Sequence, residues 1–500
     1  RGLGDVYKRQ IINISLMKDS IAKGVSNLTL ILYASGSGTM GINSAIFGGW
    51  VLFYYNQVLG LNAVLASTAL GISLIFDAIS DPLVGAWSDR FKSKWGRRHP
   101  FVYISIIPLA LGFYFLFSIP SSSDQNFLFW KLLLLVILIR ISLTFYETPR
   151  AALGPELTKE YDRRTFVTGW SYVMGVMGAI ILSYLMYEFF LVETEEFQKD
   201  MAFLNPISYT YLGISSAIMI LIFGLTSCLS THKFIPELHK PTSTQNFSLK
   251  RLLNELLECF SNRSWLAILI SGCFLGLQVG IGTGVGIYIN KFFWEWTPEV
   301  LALFPIVSGI GAIIGAVLAT TIASGQEKRN VCITVFIITI LTAPIPLALR
   351  LLDPYTSLTL FPENNTALIW WILILHTGIE DLLRAMGFTL VISMIYDIVE
   401  NSEITTGRRD EGIFMTGPGL IQKILSGLGI FILGFVLQYL NFDPNMTSNV
   451  ESTPPINELV LFQITVGPLL TLIGTSFLFL YNISRDSHHD AVESLGYDEN

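Results

Sequence analysis

The sequence predicts an all-α membrane protein of twelve transmembrane helices arranged as two pseudo-symmetric six-helix bundles. Three observations carry that prediction: an apolar composition, twelve apolar stretches of spanning length, and basic residues confined to alternate loops. Of 500 residues, 52% are hydrophobic and 14% are charged, whereas soluble domains carry roughly 25% charged residues. A soluble chain this long would split into about three domains, each needing a polar exterior that this composition cannot supply. The net charge of −7, without a long basic face, argues against nucleic-acid binding. The four cysteines (Cys228, Cys259, Cys273, Cys332) show neither a CxxC nor a metal-ligand spacing. A nucleophile elbow, an HExxH helix and a Walker loop are all missing, so neither an enzyme nor a resident cofactor is expected. Without a P-loop, energy must come from an ion gradient rather than ATP.

At the start, Asp5-Val-Tyr-Lys-Arg-Gln10 looks like translated sequencing-library adaptor. Residues 1–16 are therefore set aside as a non-native segment or tail, with Met17 the expected start. A helix crosses the hydrocarbon core with about 20 apolar residues. Such stretches fall at 28–56, 61–88, 101–119, 128–154, 166–191, 208–230, 265–291, 299–323, 331–350, 368–398, 413–440 and 459–482. Loops after even-numbered spans hold seventeen Lys and Arg, among them Arg90, Arg97, Arg98, Arg163, Lys328 and Arg409. The opposite loops hold Lys199 and the edge residues Lys131, Lys291 and Arg350. This asymmetry places both termini in the cytoplasm. The polar segment 231–264 divides an N-terminal bundle (17–230) from a C-terminal one (265–483), and an acidic tail (484–500) follows.

The two halves echo each other. Span one runs from a glycine-rich start at Gly41 to Tyr54-Tyr-Asn56, and span seven from Gly276 to Tyr288-Ile-Asn290. Two parallel six-span halves are the layout of many secondary transporters, with the substrate site between them. The spacing of Gly276, Gly280 and Gly284 reads chiefly as helix packing, with a gating hinge as the alternative.

The informative residues are the ionisable ones inside spans. Asp77 and Asp81, four apart, share one helix face. Counting from Arg90, they lie ~20 and ~13 Å above the inner boundary. A carboxylate there costs at least ~2.5 kcal/mol, and two on one face also repel. A bound Na⁺, a shared proton, or a structural pair with a neighbouring Arg would relieve them. Glu147 sits at similar depth in span four and is a further cation or substrate ligand. Arg140 and Arg150 are counter-charges or holders of an anionic group. In span ten, His376, Glu380 and Arg384 recur every four residues as one polar stripe beside Asp381, with Glu380 and Arg384 placed to pair. Lys423 in span eleven is either a substrate ligand or the partner of a first-half carboxylate.

Two segments carry a family resemblance: Asp77-Ala-Ile-Ser-Asp-Pro through Asp89-Arg90 to Trp95-Gly-Arg-Arg-His-Pro100, and Ser393-Met-Ile-Tyr-Asp397 through Thr406-Gly-Arg-Arg-Asp-Glu-Gly412 to Gln422-Lys423. They resemble the glycoside–pentoside–hexuronide:cation symporters of the major facilitator superfamily, over about residues 28–482. The resemblance implies that Asp77 and Asp81 bind the coupling cation, that Glu147 lies between sugar and cation sites, and that Lys423 is nearby. It further implies an inner gate of Asp89, Arg90, Arg97, Arg98, Asp397 and Arg409. Melibiose-type carriers have a Lys-Asp pair where this chain has Met40-Gly41, a sugar-binding Arg at the position of Tyr172, and a stacking Trp at the position of Ala151. The galactoside-reading residues are thus replaced, and Tyr146, Arg150, Trp170 and Tyr172 become candidates for a different substrate site.

The expected function is Na⁺- or H⁺-coupled symport of a sugar, uronide or related polar solute by alternating access. A single chain in the bacterial cytoplasmic (inner) membrane, with lipid as its surroundings, would suffice. A proton-driven exporter of an amphipathic compound and a transport-dead sensor on the same fold are the competing readings.

Overall fold

A computed structural model describes residues 25–158, 161–191, 193–237, 260, 262–356, 359–364, 366–406, 411–442 and 455–485. The expected non-native segment 1–16, the loop residues 238–259, the gate residue Arg409 and the tail from 486 lie outside the described residues. So do the side chains of Asp89 and Arg90.

Twelve helical spans follow in order. The first, α1, covers 27–58 in pieces; α2 is Ala63–Arg90, α3 His99–Leu116, α4 Gln125–Leu157, α5 Tyr161–Leu185 with a wider turn to Phe190, and α6 Pro206–His232. The second set is α7 Arg263–Tyr288, α8 Phe304–Ala323, α9 Lys328–Thr342 resuming at Ile345–Leu352, α10 Ala367–Thr406, α11 Glu411–Tyr439 and α12 Ile456–Leu478. Polar residues at the loop edges set the starts. Asn62, Asp124, Asn205 and Asn262 each accept a bond from a first-turn backbone N–H, satisfying donors that a helix end leaves free. Most spans extend a few residues past the apolar stretch, because capping and polar turns continue the helix beyond the hydrocarbon.

Span one departs from the expected continuous helix. Eleven helices among the described residues are long and apolar enough to cross a membrane. The twelfth, α1, is broken at Gly48 (ψ 20°) and Gly49 (φ 131°). A φ of 131° is open to glycine and strained for other residues. Irregular backbone at membrane depth is tolerated where it is buried in protein or lines a cavity. Gly49 packs on α7, where an added Cβ would meet the Thr283 carbonyl at 3.1 Å, while around Gly48 there is open space.

Small residues bring the helices into backbone contact. Gly41 of α1 presses on the Gly175 carbonyl of α5, Gly280 of α7 on Ser426 of α11, and Gly315 of α8 on Leu382 of α10. The 276/280/284 series is therefore an α7–α11 packing face; the hinge-like backbone is at Gly48–Gly49 instead. The two sets of six helices meet through α2 with α11, α5 with α8, and α1 with α7. At the end away from the basic loops, Tyr288 donates to Asn56 Oδ1 (2.9 Å) with both residues fully buried. Phe53 adds an edge-on ring contact with Tyr288 at 5.4 Å. Large apolar side chains such as Ile104, Ile107 and Leu111 on α3, or Leu368, Trp371 and Leu375 on α10, are exposed at helical spacing. These faces suit lipid chains.

Candidate coupling and substrate sites

Asp77 and Asp81 lie one turn apart on α2, and Lys423 of α11 reaches across to both. Its Nζ is 3.0 Å from Asp77 Oδ2 and 2.5 Å from Asp81 Oδ2. Of the two readings open for Lys423, the geometry is that of a carboxylate partner. The cation nearest the pair is therefore a lysine from the other set of helices, not the neighbouring arginine. Asp77 is buried, whereas the Asp81 and Lys423 side chains are 32% and 41% exposed. The pair is thus closed on one side and open to exchange on the other. Thr144 of α4 donates to Asp77 Oδ1 (3.4 Å) and bonds Ser80 (3.0 Å). One turn earlier, buried Arg140 lies in the field of both aspartates, with its guanidinium 4.3 Å from the centre of the Phe47 ring. Two carboxylates face two cations, so the cluster is neutral. A carboxylate pair with a hydroxyl beside it is a hard-oxygen set suited to an alkali cation or a proton. An entering cation must compete with the Lys423 ammonium.

Glu147, also expected as a ligand, is engaged elsewhere. Arg150 grips it in a two-pronged pair, Nη2 to Oε1 at 2.7 Å and Nε to Oε2 at 3.0 Å. Arg150 Nη2 also donates to Ser37 Oγ at 2.8 Å. Tyr33 donates to the Arg150 carbonyl (2.7 Å), and the Tyr33 and Tyr146 rings flank the guanidinium at 5.5 and 5.8 Å. Tyr146 is fully buried and donates to the Gly36 carbonyl (3.1 Å). Arg150 and Tyr146 thus fasten α4 to α1. Trp170 is half-buried against Phe166. Tyr172 is exposed and donates to the Ala312 carbonyl of α8 (3.5 Å), a contact between the two sets of helices.

Between those sets lie two adjoining compartments of about 500 and 590 Å³, which share Gly48, Tyr187, Pro305, Ser308 and Asp381. His376 lines the first and Arg384 the second. The expected Glu380–Arg384 pair does not form. Arg384 Nη1 instead donates to Asp381 Oδ1 at 2.7 Å, and Ser308 holds the other oxygen of Asp381 closely. Glu380 turns away from these compartments to accept from Thr342 at 2.5 Å, with His376 Nε2 3.8 Å away and on the Thr342 carbonyl at 3.1 Å. The 376/380/384 stripe is divided by competing partners: Asp381, three residues before Arg384, takes the guanidinium, and Thr342 of α9 takes Glu380. Asp381, named beside the stripe but given no role from the sequence, is the partner of Arg384. Its signal was the acid-x-x-Arg spacing that α10 shares with Glu147–Arg150 on α4.

At the basic end, Arg97 and Arg98 both converge on Glu156 at the end of α4, Arg98 Nη2 at 3.0 Å. Lys328 holds Asp397 at 2.6 Å. Tyr481, just after α12, donates to Asp397 Oδ2 (3.4 Å). Burial, with the Asp397 carboxylate beside it, pushes the Tyr481 hydroxyl well above its usual range, so it stays a donor. Glu156 and Lys328 were not expected. Their roles follow from contacts distant in sequence.

A twelve-helix fold with paired charges between its two halves defines a membrane carrier rather than a catalyst. Residues 32–485 match the family described as MFS/sugar transport protein, and the chain belongs to it. It is a secondary transporter of the major facilitator superfamily, moving a small-molecule substrate across a membrane by alternating access. It is 25% identical to "Uncharacterized symporter sll1374" of Synechocystis sp., over 93% of this chain and 96% of that protein. It is also 25% identical to "Inner membrane symporter YicJ" of Escherichia coli, over 88% of each. In fold it is similar to the xylose transporter XylE of E. coli, with a TM-score of 0.59 and 14% identity, covering 94% of this chain and 100% of that one.

Proposed function

We propose that the protein is a cation-coupled symporter of the glycoside–pentoside–hexuronide type, importing a sugar, uronide or related polar solute with Na⁺ or H⁺. Asp77, Asp81 and Lys423 are the coupling site. The six helices before 237 and the six after 262 are the moving units, and the basic end, with both termini, faces the cytoplasm of a bacterial cell.

One observation carries the reading. The Lys423 ammonium sits between Asp77 and Asp81 and joins α2 to α11. Without an external cation, the tethered one, together with Arg140, balances the two carboxylates and holds the halves together. A coupling ion that replaces it frees Lys423, loosens the α2–α11 contact and lets the loaded halves rock. Glu147–Arg150 keeps α4 fixed to α1 beside this site. The solute binds in the compartments bordered by His376, Asp381 and Arg384.

A thermal-shift screen of sugars, uronides and organic acids on purified protein, with and without Na⁺ and at two pH values, tests this. The expected result is a solute and cation that stabilise together more than the sum of their separate effects. Equal stabilisation by the solute in all conditions contradicts the coupling.

A further inference from the structure

We infer that the second half holds a separate site for a small monovalent metal cation, built on Glu380 and Gln463. A small, partly open cavity of about 100 Å³ lies inside that half, bordered by Gln278 of α7, Thr339 of α9, Glu380 and Arg384 of α10, and Gln463 and Thr471 of α12. It is too small for a sugar and holds about three waters at ~30 Å³ each, which also fits one ion with residual hydration. Two buried oxygens bordering it, Glu380 Oε2 and Gln463 Oε1, have no hydrogen-bond partner. Glu380 is 5% exposed. Buried acceptors left without donors cost about 1–3 kcal/mol each, more when charged, and a carboxylate in a membrane-spanning helix needs a counter-charge.

The charges nearby leave one position open. Arg384, which borders this cavity as well as one of the larger compartments, is held on Asp381, and these two neutralise each other. His376 lies 3.8 Å from the opposite oxygen, Glu380 Oε1, and bonds the Thr342 carbonyl. The formal charges of Glu380, Asp381 and Arg384 sum to −1. The groups contributed by α7, α9 and α12 are uncharged amides and hydroxyls. Water could satisfy the two oxygens but would leave that charge. A metal cation meets both needs, and the carboxylate, amide and threonine oxygens resemble the hard ligands that replace its hydration shell. Thr339 and Thr471 already donate to backbone carbonyls, which leaves their lone pairs available. The coupling site at Asp77 and Asp81 belongs to the other half. Its role rests on the proposed function, whereas this second site does not.

The test is Na⁺-dependent thermal stability of the purified full chain, in NaCl against choline chloride. In the Asp77→Asn/Asp81→Asn variant a Na⁺-induced rise in Tm persists, and adding Glu380→Gln abolishes it. Loss of all Na⁺ response on Asp77→Asn/Asp81→Asn alone overturns the second site while leaving the coupling site intact. No Na⁺ response in the wild type also overturns it, as does a response that follows pH instead. Should the double variant fail to fold, Gln463→Leu in the wild-type background serves: the Na⁺-induced rise shrinks by at least half, and an unchanged rise overturns the site.

Discussion

Lys423 Nζ lies 2.5 Å from Asp81 Oδ2 although 342 positions separate the two residues in the chain. The bond adds a charge contact to the packing of α2 on α11, where Gly427 and Gly434 lie against Gly71 and Ser67. Its replacement by glutamine leaves two carboxylates on one face of α2 with no ammonium between them. Breaking a buried pair costs about 3–5 kcal/mol; with the Asp81 and Lys423 side chains 32% and 41% exposed, about 1–2 kcal/mol is expected here. Lys423→Gln should therefore unfold at lower temperature in choline chloride and regain most of the loss in NaCl or at acidic pH, as read by differential scanning fluorimetry. A loss that no cation restores would remove Lys423 from the coupling site.

Arg150 holds Glu147 with two parallel bonds and contacts Tyr33 and Tyr146 by its face. A lysine can supply the charge but neither the fork nor the flat surface. Arg150→Lys should destabilise the protein by about 1–3 kcal/mol, seen as a lower thermal midpoint in every salt. A cation-dependent loss would instead assign Arg150 to the ion site.

Adjacent glycines at the break in α1 should respond oppositely. Gly49→Ala places a Cβ at a positive φ against the Thr283 carbonyl. It should cost about 1–3 kcal/mol and slow transport. Gly48→Ala, at φ −67° with open space around it, should change stability by less than about 0.5 kcal/mol. Equal effects on thermal midpoint would show that the break is not held by Gly49.

The same contrast applies on α7. Gly280→Ala drives a Cβ into the Ser426 backbone of α11, whereas a Cβ at Gly286 meets nothing within 4 Å. Gly286→Ala should gain up to about 1 kcal/mol from helix propensity, and Gly280→Ala should lose about 1–3 kcal/mol from overpacking. Thermal unfolding of the pair checks this.

Much of the architecture was legible because hydropathy and loop charge act locally: the apolar runs and the Lys/Arg asymmetry mark the spans without knowledge of their partners. The break in α1 was hidden because Gly48-Gly49 within an apolar run reads like the packing glycines of α7. Only contact with Thr283 distinguishes the two. At the sites, the spacing of Asp77 and Asp81 was readable as one face. The Lys423 contact was open to two readings, since helix pairing across halves is a tertiary fact. The 376/380/384 stripe misled because spacing does not rank competing partners: Asp381 holds Arg384, and Thr342, from another helix, holds Glu380.

The coupling role of Asp81 is tested most directly by uptake into membrane vesicles of the solute identified in the screen, driven by an imposed Na⁺ or proton gradient. Wild-type protein should concentrate the solute above its external level. Asp81→Asn should at most equilibrate it, whatever the gradient. Concentrative uptake by Asp81→Asn at the wild-type level would contradict the account.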